Sequence, residues 1–201
     1  GPKAIIHLDR LKSNYDLIKE KVNNLPIISV VKANGYGHGG GACAKALETH
    51  GCRFFAVFSI EEGIELRKAG VQSDILIFSR IDANSLPEAI LHKLTLNLCH
   101  EADLPLLIKY AEENGGCPTV HLKVDTGMTR LGIDIHNAEN IIHQLKEHPE
   151  VPCEGIYSHF ATADEGDLSF AHAQESKFKS VIKIAENIGF TFKYIHFSNS
   201  G

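Results

Sequence analysis

Short runs of Val, Ile, Leu and Phe recur along the chain, separated by longer stretches whose apolar positions fall three and four residues apart. The runs read as strands at 27–31, 54–58, 75–78, 94–98, 119–124, 155–158 and 194–197. Between them the spacing predicts helices at about 41–50, 60–69, 86–92, 102–114, 137–147 and 170–187. Ser85 is placed to cap the third of these, and Gly70 to end the second in the left-handed conformation. Ahead of the first strand, Leu11, Tyr15, Ile18 and Val22 mark one face of a further helix, with Asp9 as its expected N-cap. Residues 4–8 read as a strand outside this alternation.

Strands this apolar do not suit a sheet wetted on one face, so the alternation predicts a parallel α/β fold. A doubly wound sheet and an eightfold barrel fit the periodicity equally. With no Pro-rich segment, long linker or internal repeat, every connection fits a βα unit, and one continuous domain is expected over residues 1–201. Gly1-Pro2 carries no structural signal. At 43% hydrophobic, the chain can bury one substantial core.

A formal charge of -5 and the absence of long like-charge runs argue against nucleic acid or an anionic membrane as partner. No apolar stretch approaches the roughly 18 residues a bilayer span needs. The five cysteines are scattered, with no C-x-x-C pair, as expected for thiols in a reducing cytoplasm, and no metal site is predicted.

Four segments carry chemistry. The first strand runs into Val31-Lys32-Ala33-Asn34-Gly35-Tyr36-Gly37-His38-Gly39. An amine at the carboxyl end of an apolar strand stands where barrel and open-sheet sites gather, and partial desolvation makes such an amine able to form a Schiff base. The glycines after it permit close backbone approach to a ligand, although a surface lysine before a flexible loop fits the same spacing. The strand at 119–124 delivers Lys123, Asp125 and, after a glycine turn, Arg130, suited either to an anionic oxygen or to a surface ion pair. The strand at 155–158 ends in His159-Phe160-Ala161-Thr162-Ala163-Asp164, in which the histidine fits a structural role as well as a chemical one. The last strand runs into His196-Phe197-Ser198-Asn199-Ser200-Gly201, whose small polar residues suit a phosphate.

Val-Lys-Ala-Asn-x-Tyr-Gly-His-Gly, Lys-Val-Asp-Thr-Gly-Met-x-Arg-Leu-Gly, His-Phe-Ala-x-Ala-Asp and His-x-x-Asn-Ser occur here in the order they take in the alanine racemase family. The chain resembles the N-terminal barrel half of that family. Its one mild departure is Gly35, where alanine is usual. The resemblance implies a (β/α)8 TIM-type barrel, incomplete over these residues, with about seven βα units and the eighth strand missing. It implies pyridoxal 5'-phosphate (PLP) as cofactor, joined as a Schiff base to Lys32, which also serves as one of two racemisation bases. By the same resemblance Tyr36 and Ser200 hold the cofactor phosphate, with Asn199 beside the serine. Arg130 meets the cofactor phenolate and the substrate carboxylate, His159 stacks on the pyridine ring, and His196 supports the partner of the pyridine nitrogen. Lys123 matches a lysine that is often carbamylated.

The activity that the resemblance implies is interconversion of L- and D-alanine, supplying D-alanine to the cell wall, by a cytoplasmic homodimer. The second base is expected to be a tyrosine on a C-terminal domain of the opposing subunit, in no context matched by a tyrosine here, so this chain alone is expected to be inactive. Two other readings share the barrel: a serine racemase, and a single-domain PLP-binding homeostasis protein, whose lysine motif lacks Asn-x-Tyr-Gly-His-Gly.

Overall fold

The computed structural model describes Gly1 and residues 3–199. They fall into two compact units, Gly1–Ser79 with Pro87–Thr95, and Arg80–Leu86 with Leu96–Gly201.

In the first unit α1 (Leu8–Lys21) precedes β1 (Ile28–Val30), the short turn α2 (Lys32–Tyr36), α3 (Gly40–Thr49), β2 (Phe54–Val57), α4 (Ile60–Lys68) and β3 (Asp74–Ile77), and most of α5 (Leu86–Leu91) follows. The strands lie in the order β1-β2-β3, all parallel, with Ile28 opposite Phe54 and Phe54 opposite Asp74. Every residue of β2 is buried, as a parallel strand covered on both faces requires. Helix α4 packs so closely that a Cβ on Gly63 would stand 2.9 Å from Ile77 Cδ1, a proximity only glycine allows. Gly70, at φ +86°, terminates that helix as expected.

Buried Glu48 ties α3 to the approach to β3. Its Oε1 accepts from the Gln72 N–H at 2.7 Å and from the Ser73 N–H and hydroxyl, both at 2.8 Å, while Lys45 Nζ donates to Oε2 at 2.7 Å. Burial alone would raise the carboxyl's pKa, but these bonds outweigh it and hold the group at about 2.

The second unit contains β4 (Leu96–Leu98), α6 (Asp103–Asn114), β5 (Val120–Asp125), β6 (Ile133–Asp134), α7 (Ile135–Glu147), β7 (Cys153–His159), α8 (Ser169–Ile188) and β8 (Tyr194–Ser198). Its parallel sheet runs β4-β5-β7-β8, with the two-residue β6 beside the end of β5. The buried stripe Ala138, Ile141, Ile142 and Leu145 of α7 has the helical period that burial of one face demands. Among the described residues β8 pairs with β7 alone. Beside it lies a groove of about 570 Å³, lined in part by Phe160, Phe178, Ile195 and Phe197, and Ile195 is 55% exposed.

All seven expected strands form, in parallel sheets and in alternation with the expected helices, so the fold class is the α/β class anticipated. Three local expectations fail. Residues 4–7 form no strand, and Leu8 already belongs to α1; an extended segment without a neighbouring strand has no ladder to join. Asp9 lies inside the first turn of α1, where its charge suits the positive helix end, and His7 takes the cap position without a side-chain bond. Ser85 closes a 3-10 turn, Ala83–Ser85, whose cap is Asp82, and donates its hydroxyl to the Asp82 carbonyl at 2.7 Å. All five cysteines are free; Cys43, Cys52 and Cys99 are buried, and Cys117 and Cys153 are half-buried.

Candidate functional site

Lys32 follows the end of β1 and is half-buried. The chain then turns left-handed: Ala33, Asn34, Gly35 and Tyr36 have φ of 51, 53, 63 and 54°. Such a conformation costs an L-residue about 1–2 kcal/mol, least for Gly and Asn, so Ala33 and Tyr36 carry most of the strain. Backbone bonds close the turn, from the Gly35 N–H to the Val31 carbonyl at 2.8 Å and from Gly37 to Ala33 at 3.0 Å. Asn34 Oδ1 accepts from the Gly40 N–H at 2.8 Å, fastening the turn to the start of α3. Gly35 and Gly40 meet backbone to backbone, for a Cβ on Gly40 would stand 3.2 Å from the Gly35 nitrogen. On the other side Glu62 Oε1 accepts from the Ala33 N–H at 2.6 Å. The Tyr36 side chain is 60% exposed.

In the second unit the strand register assembles rows of polar residues across the sheet. Lys123 on β5 lies opposite Tyr157 on β7, which lies opposite His196 on β8. Two residues back, Asn97, His121, Gly155 and Tyr194 align in the same way across all four strands, so both sets share a face. The His196 ring stacks on Tyr157 at 4.7 Å, and Tyr157 donates its hydroxyl to Asn97 Oδ1 at 2.9 Å. His121 Nδ1 and His196 Nε2 share a hydrogen bond of 3.1 Å. The His121 ring occupies space that a Cβ on Gly155 would enter at 2.6 Å.

Burial and the nearby Lys193 charge lower His121 to about 4; burial, His121 and Lys123 lower His196 to about 3. Both rings are therefore neutral at neutral pH. Lys123 is pushed down to about 8, first by burial and then by the charge of Arg130. Arg130 itself is exposed, beyond a turn in which Asp125 Oδ1 accepts from the Gly127 and Thr129 N–H groups at 2.9 and 3.1 Å. Gly132 returns the chain beside β5, where a Cβ would meet the Asp125 nitrogen at 2.5 Å.

His159 ends β7, half-buried, and pairs in register with Ser198, the residue before Asn199. The second unit thus gathers Lys123, Arg130 and His196 around Tyr157 and brings His159 and Asn199 to adjacent strand ends, while Lys32 and Tyr36 belong to the first unit. Ser200 lies outside the described residues.

Three residues of these surroundings escape the sequence reading. Glu62 was legible as the last member of Ser59-x-x-Glu62, a capping-box pattern. Gln174 is fully buried on α8, where it donates to the His159 carbonyl at 3.1 Å and accepts from the Ala161 N–H at 3.0 Å; its signal is a polar residue in the stripe Ala171, Phe178, Val181, Ala185. His121 alternates with Lys123 on β5, but nothing local marks it as buried.

Residues 6–201 match the family description "Alanine racemase, N-terminal domain". The chain belongs to the alanine racemase family. It is 36% identical to the alanine racemase of Carboxydothermus hydrogenoformans over 200 residues, 98% of this chain and 53% of that protein. Against the alanine racemase of Treponema denticola it is also 36% identical, covering 99% of this chain and 54% of that one. Among solved structures, an alanine racemase of Clostridium difficile 630 in complex with cycloserine superposes with a TM-score of 0.91 at 32% identity, over 96% of this chain and 54% of that chain. The chain therefore spans about half the length of the alanine racemases it matches. Its fold class is that of the family's N-terminal domain, an α/β barrel of the TIM type.

Proposed function

We propose that residues 1–201 are the PLP-binding domain of an alanine racemase, which interconverts L- and D-alanine and so supplies D-alanine for the cell wall. The observation that carries this reading is Lys32, a half-buried amine at the carboxyl end of β1, opening a strained turn. The donor types suit PLP: an amine for its aldehyde, the exposed Tyr36 hydroxyl and the half-buried Asn199 amide for its phosphate, and a guanidinium for its phenolate. Lys32, Tyr36, Arg130, His159, His196, Asn199 and Ser200 are the residues that would hold it. Bound PLP would supply an electron sink for the charge left when the substrate α-proton departs.

The work of this chain's residues follows from their chemistry. Lys32 Nζ removes or returns the α-proton on one face of the substrate. Arg130, whose exposed guanidinium offers paired N–H donors, binds the alanine carboxylate. His196, neutral and hydrogen-bonded to His121, contributes no positive charge to its surroundings. The opposite face needs a second base, which we assign to a tyrosine of a C-terminal domain in a partner subunit. The relatives, about twice as long as this chain, have room for that domain. Five free cysteines suit a reducing, cytoplasmic setting, and the second base makes the working unit a homodimer.

Borohydride reduction with PLP, followed by peptide mapping, tests the assignment. Label is expected on Lys32; label on another lysine with Lys32 unmodified defeats it. The natural-length protein should interconvert the alanine enantiomers and lose that activity in Lys32→Ala, and the 201-residue chain alone should show none.

A further inference from the structure

We propose that Glu62 is the positioning residue for Lys32, acting through the peptide plane that joins Lys32 to Ala33. The proposal rests on the reading of Lys32 as the cofactor-bearing amine.

Glu62 is the third residue of α4 and completes a capping box with Ser59. That box accounts for only two of its bonds, and they are the longest: the Ser59 N–H reaches Oε2 at 3.3 Å, and the Glu62 N–H reaches the Ser59 hydroxyl at 3.4 Å. The two short bonds lie outside the box. Phe58 donates its N–H to Oε2 at 2.7 Å, and Ala33, 29 residues away in sequence, donates to Oε1 at 2.6 Å. A helix start needs no such reach; a strained turn does.

The Ala33 N–H belongs to the peptide whose rotation sets ψ of Lys32, so fixing it fixes how the backbone leaves the lysine. Asn34 anchors the far part of the turn to α3, and Glu62 anchors the end next to the amine to α4. Only a carboxylate suits the position, since both oxygens accept and three N–H groups converge on them. A glutamine would turn its own NH2 toward one of those donors. An aspartate, shorter by one methylene, can serve the cap but falls short of Ala33.

The test uses the natural-length protein with Glu62→Gln, Glu62→Asp and Ser59→Ala. Four quantities are measured: the PLP dissociation constant by visible absorbance, the pH midpoint of the absorbance of the Lys32-linked cofactor, kcat and KM for L-alanine, and the unfolding temperature without cofactor. Both Glu62 variants are expected to weaken PLP binding about tenfold, the loss of one charge-assisted hydrogen bond, to move the pH midpoint, and to lower kcat more than KM changes. Ser59→Ala, which removes the cap and keeps the Ala33 bond, is expected to lower the unfolding temperature while leaving affinity and midpoint at wild-type values. Glu62 variants with wild-type affinity and midpoint overturn the proposal, as does a Ser59→Ala variant that matches them in every readout. Should Glu62→Gln fail to fold, the contrast between Glu62→Asp and Ser59→Ala decides. Borohydride labelling of the wild type separates the two claims: label away from Lys32 defeats the functional reading, whereas label on Lys32 with unaltered Glu62 variants defeats this proposal alone.

Discussion

Lys123 Nζ stands 4.4 Å from the centroid of the Tyr157 ring, on the row where β5, β7 and β8 run in register. A buried ammonium can draw on the ring's negative face, but that attraction does not offset burial and the charge of Arg130, and the pKa falls to about 8. At that pH half the amine is neutral and nucleophilic. Addition of carbon dioxide would replace a cation that repels Arg130 with an anion that attracts it. Isotopically labelled bicarbonate at about pH 8 should therefore give a carbamate signal by nuclear magnetic resonance. That signal should be absent in Lys123→Arg.

His121 and His196 make the fold sensitive to acid. Their folded pKa values, about 4 and about 3, lie below the ordinary histidine value of 6.5, so between those limits the unfolded chain binds more protons. Stability is expected to be complete above pH 6.5 and to fall as pH drops toward 4, by on the order of 3 kcal/mol from His121 alone. Urea unfolding at a series of pH values checks this. His121→Asn should lose stability less steeply over that window, although it is less stable at neutral pH.

Gly155 is needed by a ring rather than by its own backbone. A Cβ there would stand 2.6 Å from the His121 imidazole, which is buried with little room to retreat. Gly155→Ala should destabilise by about 1–3 kcal/mol, the range for overpacking a well-filled interior. In a double-mutant cycle with His121→Ala most of that cost should vanish; additive losses would show that the clash is not with the ring.

These relationships show where the sequence is readable and where it is not. The strands were visible because Val120, Leu122 and Val124, like Ile75, Leu76 and Ile77, announce burial within one segment. Gly70 was visible as a helix stop because a left-handed cap is a local matter. The four chemical segments could be located, since each falls at a strand end. Their supports could not, because they depend on what lies beside them. The bond from Ala33 to Glu62 joins segments 29 residues apart, and His121 gains its space from a missing side chain on β7. The hand of the turn after Lys32 was equally hidden, since Ala33 and Tyr36 disfavour the conformation they adopt.

The glycine-rich stretch after Lys32 is packed against its own backbone. As a sequence it suggested backbone left open for a ligand, yet Gly35 and Gly40 are used against each other. A Cβ on Gly40 would meet the Gly35 nitrogen at 3.2 Å and the Val31 carbonyl oxygen at 3.3 Å, all of it backbone that cannot swing aside. Gly40 has an ordinary negative φ, so the cost of Gly40→Ala is crowding alone, about 1–3 kcal/mol, and relief requires the turn to move. Because that turn begins at Lys32, PLP affinity should fall together with stability. Gly116, which has open space around its Cβ position and no positive φ, is the control: Gly116→Ala should be neutral or slightly stabilising in the same unfolding assay. A Gly40→Ala protein as stable as the control would show that the turn and α3 are not packed backbone to backbone.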